Sequence, residues 1–162
     1  MSEVDNLKDF VLGIYDKLNA NLLPIIPGTK KPAEKWNKYY KQRVTRDILE
    51  NIWLPKYDSF GLICGREYVC IDFDVMKEGK YKGKLHPKAK ELFAYLLAEY
   101  PTWAQKSGGG EGRHLIYRFD LKRPIPIQDI EEYPGVEIRG EKSYVIIAFS
   151  KHPSGGTYEL FA

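Results

Sequence analysis

Cysteine and histidine are scarce in this chain of 162 residues. There are two cysteines, Cys64 and Cys70, and three histidines, His86, His114 and His152. Neither the number nor the spacing makes a zinc site. Both cysteines lie in apolar strand-like runs, so buried free thiols are expected rather than a disulfide. No apolar run approaches the ~20 residues that span a bilayer. The opening Ser2-Glu3-Val4-Asp5 is polar and acidic, unlike a secretory leader, and a cytoplasmic location is expected. No repeat, low-complexity tract or interdomain linker interrupts the chain, and its length suits a single domain over residues 1–162. The phosphate-binding patterns of nucleotide folds are also missing. There is no GxxxxGK[ST], and the one glycine-rich segment precedes a strand rather than a helix.

Charge is nearly balanced, with a formal net charge of +3 and 29% charged residues. That permits a nucleic-acid or nucleotide partner without demanding one. Aromatic residues are plentiful at 14%, which fits stacking surfaces or a well-packed core.

The most informative stretch is Gly61–Val75, GLICGREYVCIDFDV. Two apolar runs, Phe60–Cys64 and Tyr68–Val75, flank the turn Gly65-Arg66-Glu67 and read as a β-pair. The second run ends in Asp72-Phe73-Asp74. Side chains alternate along a strand, so Asp72 and Asp74 share a face and Phe73 takes the other. Two like charges on the end of an otherwise apolar strand repel, and a divalent cation relieves that cost. Solvent-exposed acids are the alternative reading.

Around this stretch the chain reads as α+β. Val4, Leu7, Phe10, Val11, Ile14 and Leu18 fall at helical spacing over 4–20. Leu22–Ile26 is a short strand, and its Pro24 suits an edge position. The turn-rich basic loop Pro27-Gly28-Thr29-Lys30-Lys31-Pro32 follows, with Trp36, Tyr39 and Tyr40 behind it as candidates for base stacking or for anchoring the loop. Thr45 caps an expected helix over 46–52. Residues 76–84 read as an exposed basic loop with no fold of its own. Pro87 opens a helix running to about Tyr100, whose buried face is Ala89, Leu92, Phe93, Leu96 and Leu97. Strands follow at Trp103–Lys106, Leu115–Phe119 and Thr157–Phe161, with a connecting loop marked by Pro124 and Pro126. Val136–Arg139 and Ser143–Phe149 read as a hairpin across Gly140-Glu141-Lys142.

Two further segments carry candidate chemistry. On Val136-Glu137-Ile138-Arg139, Glu137 and Arg139 share a face. They could pair with strand neighbours, or Glu137 could complete a three-carboxylate site while Arg139 meets a phosphate. The segment Ser107-Gly108-Gly109-Gly110-Glu111-Gly112-Arg113-His114 allows close backbone approach to an anion, and His114 directly after it is a candidate ligand contact.

Taken in order, these motifs resemble the primase-polymerase domain of the archaeo-eukaryotic primase superfamily, found in plasmid and viral replication proteins. The resemblance runs from Leu23 to Tyr158. It rests on Pro27–Pro32 with Trp36, Gly61–Gly65, Ile71–Asp74, Ser107–His114, Val136–Gly140, and Ser150, His152, Gly155 and Tyr158. It implies mixed or antiparallel sheets, including a module like the RNA-recognition motif, flanked by helices. It also implies template-directed nucleotidyl transfer with Mg²⁺ or Mn²⁺. Asp72 and Asp74 look like the family's first metal-binding pair, and Glu137 stands where a third acid, more usually Asp, is expected. His114 with Ser107 looks like the triphosphate contact. Arg139, Lys30 and Ser150 are further phosphate contacts by the same resemblance, although Ala148-Phe149-Ser150 replaces the family's frequent Pro-Pro-Ser. The implied partners are single-stranded or primer–template DNA, an NTP or dNTP, and a helicase domain or partner, with no membrane. Two other functions remain open: a non-catalytic DNA- or nucleotide-binding replication module, and a metal-dependent nuclease using the same acids.

Overall fold

The computed structural model describes residues 3–35, 37–118 and 126–161. Trp36, Phe119, Pro124 and the Val4 side chain, all invoked above, lie outside the described residues. The fold is α+β. Helix α1 (Glu3–Leu18) leads into strand β1 (Leu22–Pro24), short helix α2 (Asn37–Lys41) and a π-helix (Ile48–Trp53). Strands β2 (Phe60–Cys64) and β3 (Tyr68–Phe73) precede α3 (Pro87–Glu99). Then come β4 (Trp103–Lys106), β5 (Arg113–Arg118), β6 (Gln128–Asp129), β7 (Val136–Arg139), β8 (Ser143–Ile146) and β9 (Glu159–Leu160).

The strands form two sheets. One has the order β1-β2-β8 and the other β6-β7-β3-β5-β4-β9. Every pairing between named strands is antiparallel. The edge position expected for the Pro24 strand is observed.

Two expected hairpins are not hairpins. The chain leaves β2 in one sheet and enters β3 in the other, and it leaves β7 in one sheet and enters β8 in the other. β2 pairs with β8, and β3 pairs with β7. The two connecting turns lie against each other where the chain passes between the sheets. A Cβ on Gly65 would stand 2.4 Å from Glu141 Cα, and Gly65 has a φ of +109°. Only glycine fits there, both for space and for backbone angle. Period-two patterning cannot distinguish a hairpin from a pair of strands that part company, because both keep the same alternation.

Among the described residues, buried apolar side chains fill three regions. The largest lies under α1, where Leu7, Val11 and Ile14 meet Phe60, Leu62, Cys64, Cys70 and Ile116. A second covers the other face of the small sheet with Leu23, Ile25, Ile63 and Tyr158. The third lies between α3 and the large sheet and contains Phe73, Ala89, Ala104, Leu115 and Val136. On α3 only Ala89 is fully buried, while Leu92, Phe93, Leu96 and Leu97 pack at the margin. Leu18 of α1, expected on the apolar face, is 38% exposed.

Other local expectations need correction. The helix begun by Thr45 is π-helical over Ile48–Trp53, with Leu54 N donating to Leu49 O at 2.9 Å. The Thr45 hydroxyl does accept from Ile48 N. Tyr39 and Tyr40 are core residues, not stacking platforms. Tyr40 is buried, and Tyr39 packs edge-on against Trp53. Residues 76–84 are exposed as expected but have a fold of their own. Met76 N donates to Lys84 O at 2.8 Å and Gly83 N donates to Met76 O at 2.8 Å, which closes the loop at its base. Cys64 and Cys70 are free and buried. Burial pushes the Cys64 thiol up to about 12 and raises Cys70 too, so both are inert.

Candidate active site

One row across the large sheet builds the site. Gln105 on β4 pairs with His114 on β5, His114 with Asp72 on β3, Asp72 with Glu137 on β7, and Glu137 with Asp129 on β6. Directly opposed residues share a sheet face, so five polar side chains line up on one side. The same face of β3 carries Tyr68 and Cys70, both inside the core under α1. Asp72 is the next residue on that face, at the point where apolar cover ends.

Asp72 is 9% exposed and bonded on both sides. His114 Nε2 stands 3.3 Å from its Oδ1, and Arg139 Nε stands 3.2 Å from its Oδ2. Burial pushes the Asp72 carboxyl up, but the bonds and charge from His114 and Arg139 outweigh it, leaving the carboxyl below its ordinary value. Arg139 also lies 3.5 Å from Glu137 Oε1. It pairs with its strand neighbour Glu137, one of the two readings that a shared face allowed, and it lines the cavity. Glu137 is raised, first by burial and then by the charges of Asp72, Asp129 and Asp74, against the pull of Arg139. Asp74 lies one residue past the end of β3 and is exposed. Its backbone N–H donates to Gly135 O at 2.9 Å, which ties it to the start of β7.

A cavity of about 400 Å³ opens beside this row, within the range of small-ligand sites. Lys30, Asp72, Asp74, Ser107, His114 and Arg139 all line it. Glu137 and Asp74 face a neighbouring groove that shares Asp72 and Arg139. Seven of the eight sequence-derived residues are thus brought to adjoining walls. Ser150 is not. It is fully buried, with its hydroxyl accepting from Phe60 N at 3.1 Å, and it serves the join between β2 and the segment after β8.

The glycine segment is shaped by its own neighbours. A Cβ on Gly108 would stand 2.7 Å from His152 Cβ, and one on Gly109 would stand 2.7 Å from His152 Nε2. These two glycines make room for the loop 151–157. That loop places Tyr158 beside His114, with ring centroids 6.3 Å apart and planes 18° apart. Burial pushes the Tyr158 hydroxyl up to about 12, against a bond with Ser107.

The sequence reading missed Lys142 and Tyr144, which line the cavity, and Gln105, which is fully buried behind His114. Tyr144 lines the cavity and donates its hydroxyl to Lys30 O at 2.6 Å, fixing the basic loop. Its ring lies against Gly61, where an added Cβ would approach Tyr144 Cδ2 to 3.1 Å. The alternation in Ser143–Ile146 sets Tyr144 opposite the buried Val145, which was a usable signal.

Residues 14–162 match the family model described as bifunctional DNA primase/polymerase, N-terminal. The chain belongs to that family. No curated protein matches the chain. Primase-polymerase domains carry out primase- and polymerase-type nucleotidyl transfer on DNA and nucleotide substrates, generally with divalent metals. In this member the oxygen-only set Asp72, Asp74 and Glu137 has the donor chemistry of a hard divalent cation. Among the described residues, no three carboxylate, imidazole or thiol groups converge closely enough to hold a metal ion. The Arg139 Nε lies within 3.2 Å of Asp72 Oδ2 and 3.5 Å of Glu137 Oε1. Among the described residues, no helix is long and apolar enough to cross a membrane.

Proposed function

We propose that this domain is a DNA primase/polymerase whose reaction takes place at Asp72, Asp74 and Glu137, with the nucleotide triphosphate held in the adjoining cavity near His114. The observation that carries this reading is the single row His114–Asp72–Glu137 across three adjacent strands. It sets the acid pair against the one histidine of the sheet, at the mouth of a cavity of nucleotide size.

In this reading a primer or first-nucleotide 3′-hydroxyl attacks the α-phosphorus of a bound NTP or dNTP, and pyrophosphate leaves. Asp72, Asp74 and Glu137 would hold Mg²⁺ or Mn²⁺, which would supply Lewis acidity to the attacking hydroxyl and the phosphoryl oxygens. The remaining work is positioning. His114 donates from Nε2, Ser107 offers a hydroxyl, and Lys30 and Arg139 supply charge to the triphosphate. With a cation at these acids, the Arg139 guanidinium would be available to fork onto phosphate oxygens. Template phosphates meet the basic loops at 27–32 and 76–84. Ser150 has no part in the site, because its hydroxyl is spent inside the fold. A helicase domain or partner and a cytoplasmic setting fit a replication role.

Calorimetric titration with dATP tests the reading. Affinity that appears with Mn²⁺ and falls at least about tenfold without it supports a metal-linked triphosphate site. Equal affinity with and without metal contradicts it and favours a plain binding module. Cleavage of single strands without nucleotide would favour a nuclease.

A further inference from the structure

Gln105 is fully buried at the centre of β4, in a strand whose other inward position is apolar. Its side-chain amide has four bonding positions, and all four are used. The oxygen accepts from Ala148 N at 2.8 Å and from Trp103 Nε1 at 3.0 Å. The nitrogen donates to Ile146 O at 2.7 Å and meets His114 Nδ1 at 3.0 Å.

The first three partners admit no choice. A peptide N–H and an indole N–H are donors only, and a peptide carbonyl is an acceptor only. They fix which end of the amide is oxygen and which is nitrogen. The remaining hydrogen of the Gln105 nitrogen therefore points at His114 Nδ1, which must accept it. In the imidazole the proton is then on Nε2, the atom facing Asp72 Oδ1 and the cavity. Stacking against Tyr158 holds the ring plane.

We propose that Gln105 is a positioning residue. It locks His114 in the Nε2–H tautomer, so that a phosphate oxygen of the incoming nucleotide meets an N–H donor there and not a lone pair. The same amide clamps Ile146 and Ala148, so the histidine's orientation is tied to the small sheet that carries the other cavity wall. The role toward phosphate rests on the function proposed above. The tautomer itself does not, and it is measured without nucleotide.

Long-range ¹H–¹⁵N correlation on the ¹⁵N-labelled domain at mildly alkaline pH reports which ring nitrogen carries the proton. The expected result for the wild type is Nε2–H alone at His114. Proton density on Nδ1, or an even mixture, would overturn the proposal with no variant needed. In Gln105→Glu the carboxylate has no hydrogen to give and accepts from Nδ1–H, so a proton is expected to appear on Nδ1 while Nε2–H stays toward Asp72. No proton on Nδ1 in the folded variant would also overturn it. Affinity for dATP with Mn²⁺ is expected to fall about tenfold in Gln105→Glu. In a His114→Ala background the same substitution is expected to have no further effect. An equal fall in both backgrounds would show that Gln105 does not act through His114. If His114→Ala binds dATP as the wild type does, the triphosphate role fails while the tautomer result stands.

Discussion

His114 Nε2 and Asp72 Oδ1 lie 3.3 Å apart, between residues that face each other across the β3–β5 ladder. The contact, with that of Arg139, holds the Asp72 carboxyl below its ordinary value of 3.8 despite burial. The folded state therefore binds this proton less readily than the unfolded chain. The stabilisation is present above about pH 3.8 and is lost as pH falls from there through the lowered native value. Urea unfolding across that acid range is expected to show a shallower loss of stability for Asp72→Asn than for the wild type.

Glu137 has the opposite sign. Its carboxyl is raised above 4.5 by burial and by neighbouring acids, so its ionised form costs stability at neutral pH when no cation is bound. Glu137→Gln is expected to raise the thermal midpoint in chelator and to lower nucleotide incorporation. A site that trades stability for function gives this pairing of effects. A lower midpoint in chelator would contradict the sign.

Arg139 neutralises two carboxylates at 3.2 and 3.5 Å. Removing it leaves Asp72 buried beside Glu137 with one partner fewer. Arg139→Ala is expected to cost about 1–2 kcal/mol in chelator. Mn²⁺ is expected to restore more of the midpoint in this variant than in the wild type. Thermal melts with and without Mn²⁺ measure both.

Gly65 has a φ of +109° and lies against the Glu141 backbone. Gly65→Ala forces apart the two turns where the chain changes sheets. A loss of about 2 kcal/mol or more is expected, read by denaturant unfolding. The site lies beside this crossover, so incorporation is expected to fall in the same variant.

Much of this was legible in the sequence, for identifiable reasons. Asp72 was visible because two acids in Val69–Val75 break an apolar run. His114 was visible directly after the glycine segment, and Glu137 as an acid sharing a strand face with Arg139. What the sequence could not carry was pairing between distant strands. The apolar alternation of β2, β3, β7 and β8 fits two hairpins as well as it fits the observed exchange between sheets. Ser150 entered as a phosphate contact through the family resemblance alone, but its hydroxyl closes onto Phe60, 90 residues earlier. Gln105 gave no signal, since one amide in a short strand matters only once its four partners are known. The glycines after Ser107 looked like an anion cradle, while two of them make room for His152.

The most direct test of the account is dNTP incorporation on a primed single-stranded template with Mn²⁺, comparing the wild type with the Asp72→Ala/Asp74→Ala double variant. The account predicts primer extension by the wild type. It predicts a loss of at least about a hundredfold in the variant, with far-UV circular dichroism unchanged. Extension by the folded double variant at a rate near that of the wild type would contradict it.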